Sequence, residues 1–206
     1  MKRVAYSLLL LCSLSSAPAQ GTYEALTNFS TGASSGVVAG TAGWSFTPQI
    51  SIEVTHLGCL DYVVTPQGPV DIGLWTDAGT LLSSAVIYAT NTLDNLSRYI
   101  AISPVFLNGG STYRLGAYSP SGLFLDLIGP GNGSSTLSTD INLGASAVGT
   151  GGFAFPGTLG SNGSMLLAPN FRYDRVPEPG STALFGLAAA LFALRKRRQA
   201  KTTSIG

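Results

Sequence analysis

The chain has 206 residues, which is enough for one domain with targeting segments, and its formal net charge is +1. Seven of its eleven cationic residues lie in the two terminal segments, so residues 20–176 hold four arginines against nine acidic residues, a net charge of −5. An acidic body of this kind lacks the basic footprint of a nucleic-acid-binding protein, and we expect no nucleic-acid partner.

Residues 1–19 have the pattern of a secretory signal peptide. Two cations follow the initial methionine, a short apolar stretch comes next, and Ala17 and Ala19 supply the small residues of an A-x-A cleavage site before Gln20. The apolar stretch is too short to span a membrane. The pattern predicts export through the Sec translocon and removal of the peptide by signal peptidase between Ala19 and Gln20.

Removal of the signal peptide leaves Cys59 as the one cysteine of the chain. An internal disulfide is then impossible, although an exported protein could form one. Cys59 lies among apolar neighbours, which favours a buried small side chain, with an intermolecular bridge or a reactive thiol as the alternatives. The fold must therefore rest on its hydrophobic core.

Short alternating segments between residues 20 and 175 predict β-strands, and no amphipathic helix stands out among them. The segments are 50–55, 70–88, 99–102, 112–118, 123–128, 165–167 and 170–173. Strands of this length, with turns about every ten residues, indicate an all-β fold, an antiparallel, jelly-roll-like β-sandwich over residues 20–175.

Two local features refine this prediction. Residues 70–88 form the clearest hairpin, with turn residues at 76–79 and Gly79 able to adopt a positive φ. His56 falls on the apolar side of the alternation at 50–55, which predicts that the strand ends or bulges there. Residues 129–163 hold ten glycines and are predicted to form long surface loops with weak strands inside.

No catalytic or metal-binding pattern passes its structural requirements. Residues 32–36 match the G-x-S-x-G nucleophile motif, but no helical pattern follows, and the chain has a single histidine, His56. One histidine and one mature cysteine do not make the usual zinc site. We therefore expect that the protein is not an enzyme and that it binds no metal or other cofactor. Paired carboxylates in a secreted hydrolase and bound calcium remain open alternatives.

Trp44 and Trp75 are the two tryptophans of the body. They are candidate glycan contacts, because aromatic rings stack on sugars. Aromatic residues at strand positions are more often part of the core, so both interpretations remain open at this point.

The C-terminal segment combines a proline-rich start, an apolar run and a basic end. Residues 181–194 are 14 residues, or roughly 21 Å of helix, against the about 30 Å hydrocarbon core of a bilayer. The cations at 195–198 would stay in the cytoplasm. The run is a short transmembrane helix that can hold a precursor in the inner membrane transiently but is weak as a permanent anchor.

Residues 176–199 resemble the PEP-CTERM sorting signal, with Val176-Pro177-Glu178-Pro179-Gly180 followed by a short apolar helix and an arginine-rich end. The resemblance implies export by a Gram-negative bacterium that also makes exopolysaccharide, and processing by exosortase. It also implies that Pro177, Glu178 and Pro179 are the recognition residues.

The body is similar to an uncharacterised β-sandwich module of secreted bacterial proteins. The similarity is carried by residues 43–47, 70–75 with 79–82, and 112–118, within residues 41–125. The similarity implies a β-sandwich fold, but it implies no activity, because none is established for this family. The sequence therefore predicts a cell-surface or extracellular-matrix protein associated with exopolysaccharide, with a carbohydrate-binding module as the alternative and a secreted hydrolase as a less favoured one.

Overall fold

A computed structural model describes residues 21–29, 34–38, 40–61, 68–121, 123–128, 135–160, 165–166 and 168–176. For residues 34–38, 123–128 and 165–166 it defines the backbone alone. The predicted signal peptide, with Ala17, Ala19 and Gln20, lies outside these ranges.

The described residues form antiparallel strands that make two principal sheets. The five-stranded sheet has the order β1 (Tyr23–Glu24), β16 (Pro169–Arg175), β5 (Ile52–Leu60), β9 (Ser97–Leu107), β8 (Thr92–Asp94). The six-stranded sheet has the order β14 (Thr158–Leu159), β13 (Ile141–Val148), β4 (Ala42–Pro48), β10 (Tyr113–Tyr118), β6 (Val70–Thr76), β7 (Leu81–Ile87).

Two smaller sheets complete the architecture. One has the order β15 (Met165–Leu166), β11 (Leu123–Ile128), β3 (Ser34–Val38), and the other pairs β12 (Thr136–Leu137) with β2 (Leu26–Thr27). The predicted all-β antiparallel fold is confirmed.

Aromatic side chains join the two principal sheets. Trp44 and Phe46 point inward from β4, since alternate residues of a strand face the same side. Their ring centroids lie 6.0 Å and 4.9 Å from that of Phe171 on β16. The Trp44 Nε1–H also donates to the Pro169 carbonyl oxygen at 2.9 Å, so the buried indole has its one donor satisfied.

Asn170 provides a second polar link, and its side chain is fully buried. Its Nδ2 donates to the Leu26 carbonyl oxygen at 2.9 Å and to the Tyr99 hydroxyl at 2.7 Å, while its Oδ1 accepts from the Leu26 N–H at 3.1 Å. A buried amide with these partners does not carry the penalty of an unsatisfied polar group. The side chain ties β2 and β9 to β16.

A row of three glycines crosses the outer face of the six-stranded sheet. Gly116 of β10 lies opposite Gly43 of β4 and Gly73 of β6. The Trp75 ring occupies the space above Gly73, where a Cβ atom would come within 2.1 Å of it. The glycines therefore let a large ring lie flat on a sheet surface.

Residues 149–157 cover this face. Phe153 and Phe155 contact Trp75, with ring centroids 5.4 Å and 6.4 Å away. Arg114 fixes the segment by donating from Nη1 to the Pro156 and Gly157 carbonyl oxygens at 2.7 Å and 2.9 Å. As a result the outer side of the sheet has its own small apolar cluster.

Three local predictions from the sequence fall on described residues. The 70–88 hairpin is present as β6 and β7, and Gly79 in its turn has φ +92°. A bulge interrupts the β5 pairing between Val54 and His56, as the alternation predicted. Residues 129–163 were predicted to form surface loops with weak strands inside, and in the described part of this region residues 141–148 form the eight-residue strand β13, which pairs with β4.

Cys59 lies fully buried in the core, and it is a free thiol. Burial raises its pKa to about 12, since the thiolate is poorly solvated in an apolar interior. This placement fits the interpretation of Cys59 as a small core side chain.

The glycine row gives a test of packing. We expect Gly43→Ala to lower the free energy of unfolding by roughly 2 kcal/mol or more, because its Cβ would lie 1.9 Å from the Leu115 carbonyl oxygen. Gly21→Ala is the control, since no atom lies within 4 Å of a Cβ there. Denaturant unfolding of both variants measures the difference, and equal stabilities would contradict the packing.

Cys59 gives a test of pH dependence. Because the folded pKa is raised to about 12, ionisation of the unfolded thiol above about pH 9 should favour unfolding. We expect the free energy of unfolding to fall more steeply with pH in the wild type than in Cys59→Ala, by about 1.4 kcal/mol per pH unit near pH 10. Parallel pH profiles of the wild type and Cys59→Ala would contradict the raised pKa of Cys59. Rapid labelling of this thiol in the folded protein at pH 8 would also contradict it.

Candidate functional site

The last strand of the sandwich leads directly into the C-terminal segment. β16 lies between β1 and β5 in the five-stranded sheet, so it is held on both sides. Its pairing with β5 continues to Arg175, opposite Ile52, and the Val176 N–H donates to the Ser51 carbonyl oxygen at 3.1 Å. The fold therefore continues up to the residue before Pro177.

Arg175 is fixed by a bidentate ion pair. Its Nε and Nη2 donate to the two carboxylate oxygens of Asp140, at 2.7 Å and 3.0 Å, and its guanidinium lies 4.4 Å from the ring centroid of Tyr23. Hydrogen bonding to Asp140 raises the pKa of Arg175. Two matched hydrogen bonds define the direction of the side chain, so the end of β16 is positioned by residues of two other segments.

Asp140 also accepts a hydrogen bond from the Tyr173 hydroxyl at 2.9 Å, and the Ser138 hydroxyl donates to Tyr173. Burial raises the pKa of Tyr173, and the bond to Asp140 raises it further. The phenol therefore stays a donor at neutral pH. The cluster of Ser138, Asp140, Tyr173 and Arg175, named here the exit cluster, joins the loop before β13 to the last strand.

A cleft of about 540 Å³ runs beside the exit cluster; Tyr23 and Leu137 form its apolar part and its other lining residues are polar, and it is named here the polar cleft. Hydroxyl side chains line much of it: Thr22, Thr27, Thr136, Ser138 and Thr139. Glu24, Asn95 and Arg175 add a carboxylate, an amide and a guanidinium to its wall. No local motif in the sequence marks this cleft, because its lining comes from segments more than 100 residues apart.

Glu24 connects the cleft to the outer face of the five-stranded sheet. It accepts hydrogen bonds from Arg172, whose guanidinium also bonds Asp94 and lies 4.0 Å from the ring centroid of Tyr99. Burial opposes the charge of Arg172, but its bonds to Glu24 and Asp94 raise its pKa. The wall of the cleft is therefore held by a network of ion pairs.

The tryptophans that were candidate glycan contacts do not lie on the surface. Trp44 is 0% exposed in the core, and Trp75 is 3% exposed beneath residues 149–157. This corrects the hypothesis of a sugar platform at these residues, since neither ring offers an open face. The positions of both tryptophans on strands favoured burial in the core, and residues 149–157 cover the ring of Trp75.

Charged groups of the body are largely paired with each other. Each of its four arginines forms an ion pair in the described structure: Arg98 with Asp61, Arg114 with Asp77, Arg172 with Glu24 and Asp94, and Arg175 with Asp140. Within the described ranges, no group of three or more His, Cys, Asp or Glu side chains could hold a metal ion.

The predicted sorting residues Pro177, Glu178 and Pro179, and the predicted short transmembrane helix at 181–194, lie outside the described residues. In the part of the chain that the structure covers, no helix has the length and apolar character needed to cross a bilayer.

Among curated proteins, none matches this chain. The family model for the PEP-CTERM protein-sorting motif matches residues 175–198, and this match starts at Arg175 of the exit cluster. The motif implies an exported protein that is sorted through exosortase from a membrane-anchored precursor in a Gram-negative bacterium. The chain is thus an all-β sandwich that carries a PEP-CTERM protein-sorting motif beginning at the last residue of its final strand.

Proposed function

We propose that this protein is a non-enzymatic component of the cell surface or extracellular matrix, associated with exopolysaccharide after exosortase has processed its tail. The observation that carries the proposal is the match of residues 175–198 to the PEP-CTERM sorting motif. In this proposal the signal peptide directs the chain into the Sec translocon, and the apolar run holds the precursor in the inner membrane until processing.

The geometry of the exit supports this role. Pro177 follows directly on Val176, whose N–H is the last backbone group bonded to the sandwich in the described chain. Prolines cannot continue a helix and favour extended backbone before them, so Pro177 and Pro179 keep the recognition segment separate from the apolar run. Glu178 between them then offers a single carboxylate for recognition.

The pairing of charges supports a non-enzymatic body. Glycoside hydrolysis needs two carboxyl groups that are free to act as acid and as nucleophile or base. Glu53 and Asp174, opposite each other on β5 and β16, form no ion pair among the described residues, but Asp77, Asp140 and Glu24 accept hydrogen bonds from arginines instead. They stabilise loops and strand ends.

Carbohydrate binding is the second candidate function, and the polar cleft favours it. Threonine and serine hydroxyls, an amide, a carboxylate and a guanidinium are the groups that exchange hydrogen bonds with a saccharide. The cleft replaces the two buried tryptophans as the candidate contact surface for exopolysaccharide.

The sorting proposal can be tested by mapping the mature C-terminus. We expect Glu178→Ala and Pro177→Ala to leave the tail uncleaved, because recognition depends on these residues, so that intact-protein mass spectrometry of cells finds full-length precursor. Thr202→Ala, beyond the basic end, is the matched control and should be processed normally. An identical C-terminus in all three variants, and in cells without the sorting enzyme, would refute the proposal.

The glycan proposal can be tested by filling the cleft. Thr139 is exposed and lines it, so we expect Thr139→Trp to weaken binding to the host's purified exopolysaccharide by about tenfold or more. Thr92→Trp is the control, at an exposed position on β8 that does not line the cleft. Both variants should retain the wild-type melting temperature. Equal binding by the two variants, or no binding by the wild type, would remove this candidate.

A further inference from the structure

Both ends of the described body point to the same end of the sandwich. β1 pairs antiparallel with β16, with Tyr23 opposite Tyr173 and Glu24 opposite Arg172. Moving back from Tyr23 to Gly21 therefore leads in the same direction as moving on from Tyr173 to Val176. The segment that carries the signal peptide and the segment that carries the sorting motif leave the fold side by side.

Four loops lie at the same end of the sandwich as these two exits. Residues 49–51 join β4 to β5, residues 108–112 join β9 to β10, residues 77–80 join β6 to β7, and residues 138–140 precede β13. The Gln49 N–H donates to the Asp140 carbonyl oxygen and the Gly110 N–H to the Pro48 carbonyl oxygen, both at 2.7 Å. We name the surface of these loops, together with Gly21 and Val176, the terminal end.

The terminal end has little free charge. Its loops contain two carboxylates, Asp77 and Asp140, which are paired with Arg114 and Arg175 respectively. Its other loop residues are uncharged, with small or hydroxyl side chains predominating. The body as a whole carries a net charge of −5. Because free carboxylates are repelled by anionic lipid, a neutral polar surface is the part of an acidic body that can approach headgroups most closely.

The length of chain beyond the fold limits the distance to the membrane. Four residues separate Val176 from the apolar run at Ser181, so the two Cα atoms can lie at most about 18 Å apart. A seven-residue strand such as β4 is about 23 Å long. The opposite end of the sandwich therefore cannot exchange places with the terminal end while the apolar run is embedded.

We infer that the terminal end is the membrane-facing surface of the precursor, and that the sandwich contacts the lipid headgroups through this surface. This inference rests on the proposed membrane hold by the tail. It adds that the sandwich has a fixed orientation during the hold, and that exosortase must reach Pro177–Pro179 from the side, in the narrow layer between the terminal end and the bilayer.

Site-specific quenching can test the orientation. A fluorophore is attached to Ser111→Cys at the terminal end or to Thr90→Cys in the turn after β7, at the opposite end; both positions are exposed. The protein begins at Gln20, as it would after removal of the signal peptide, so that this peptide does not tether it, and the buried Cys59 thiol stays unlabelled. Each protein is reconstituted into vesicles of phosphatidylethanolamine and phosphatidylglycerol with nitroxide-labelled headgroups.

We expect quenching at position 111 to exceed that at position 90 several-fold. A Gly/Ser linker of about 30 residues between Val176 and Pro177 spans more than the length of the sandwich, so it should abolish this difference. Flotation of the vesicles checks the tether independently. Equal quenching with intact co-flotation overturns the orientation alone, whereas loss of co-flotation overturns the membrane hold of the proposed function and the orientation with it.

Discussion

The packing of Trp44 against Phe171 is the contact on which the rest of the molecule depends. It brings the centres of the two principal sheets together, and the hydrogen bond from the indole to Pro169 fixes the start of β16. The described chain has a free cysteine instead of a disulfide, so this aromatic core supplies the cohesion between the sheets. Because β16 ends at the sorting motif, the same core positions the segment that determines where the protein goes.

The second apolar cluster shows how a glycine-rich sequence can produce a packed structure. Residues 149–157 lack the alternation of a strand, yet Phe153 and Phe155 close over Trp75 on a floor of glycines. Arg114 acts from beneath by holding two carbonyl oxygens of the covering segment. Because the glycines lack side chains, the Trp75 ring can lie flat against the sheet. The covering segment then excludes water from the outer face of the sheet.

The sequence predicted those parts of the fold that depend on local pattern. Alternation revealed the hairpin of β6 and β7, and the misplaced phase of His56 revealed the bulge in β5, because both features follow from neighbouring residues. The bounds of β13 were not predicted, because Gly144 and Ala145 look like loop residues but fit closely against Ser45 of β4.

The sorting motif was recognisable because it is contiguous, whereas the polar cleft depends on long-range pairing. β2 pairs with β12 across more than 100 residues of sequence, and no spacing rule marks such a combination. The burial of Trp75 was hidden for the same reason, because a segment distant in sequence covers the face of the sheet on which its ring lies.

The position of β16 has a consequence for the order in which the protein is made. The first strand of the body pairs with the last, so the five-stranded sheet stays open until residue 175 has been synthesised and exported. Contacts between residues so far apart in sequence form late and slowly. In the proposed precursor the apolar run follows a few residues later, so the sandwich would close at the membrane surface. Folding and membrane tethering of that precursor would then be nearly simultaneous events.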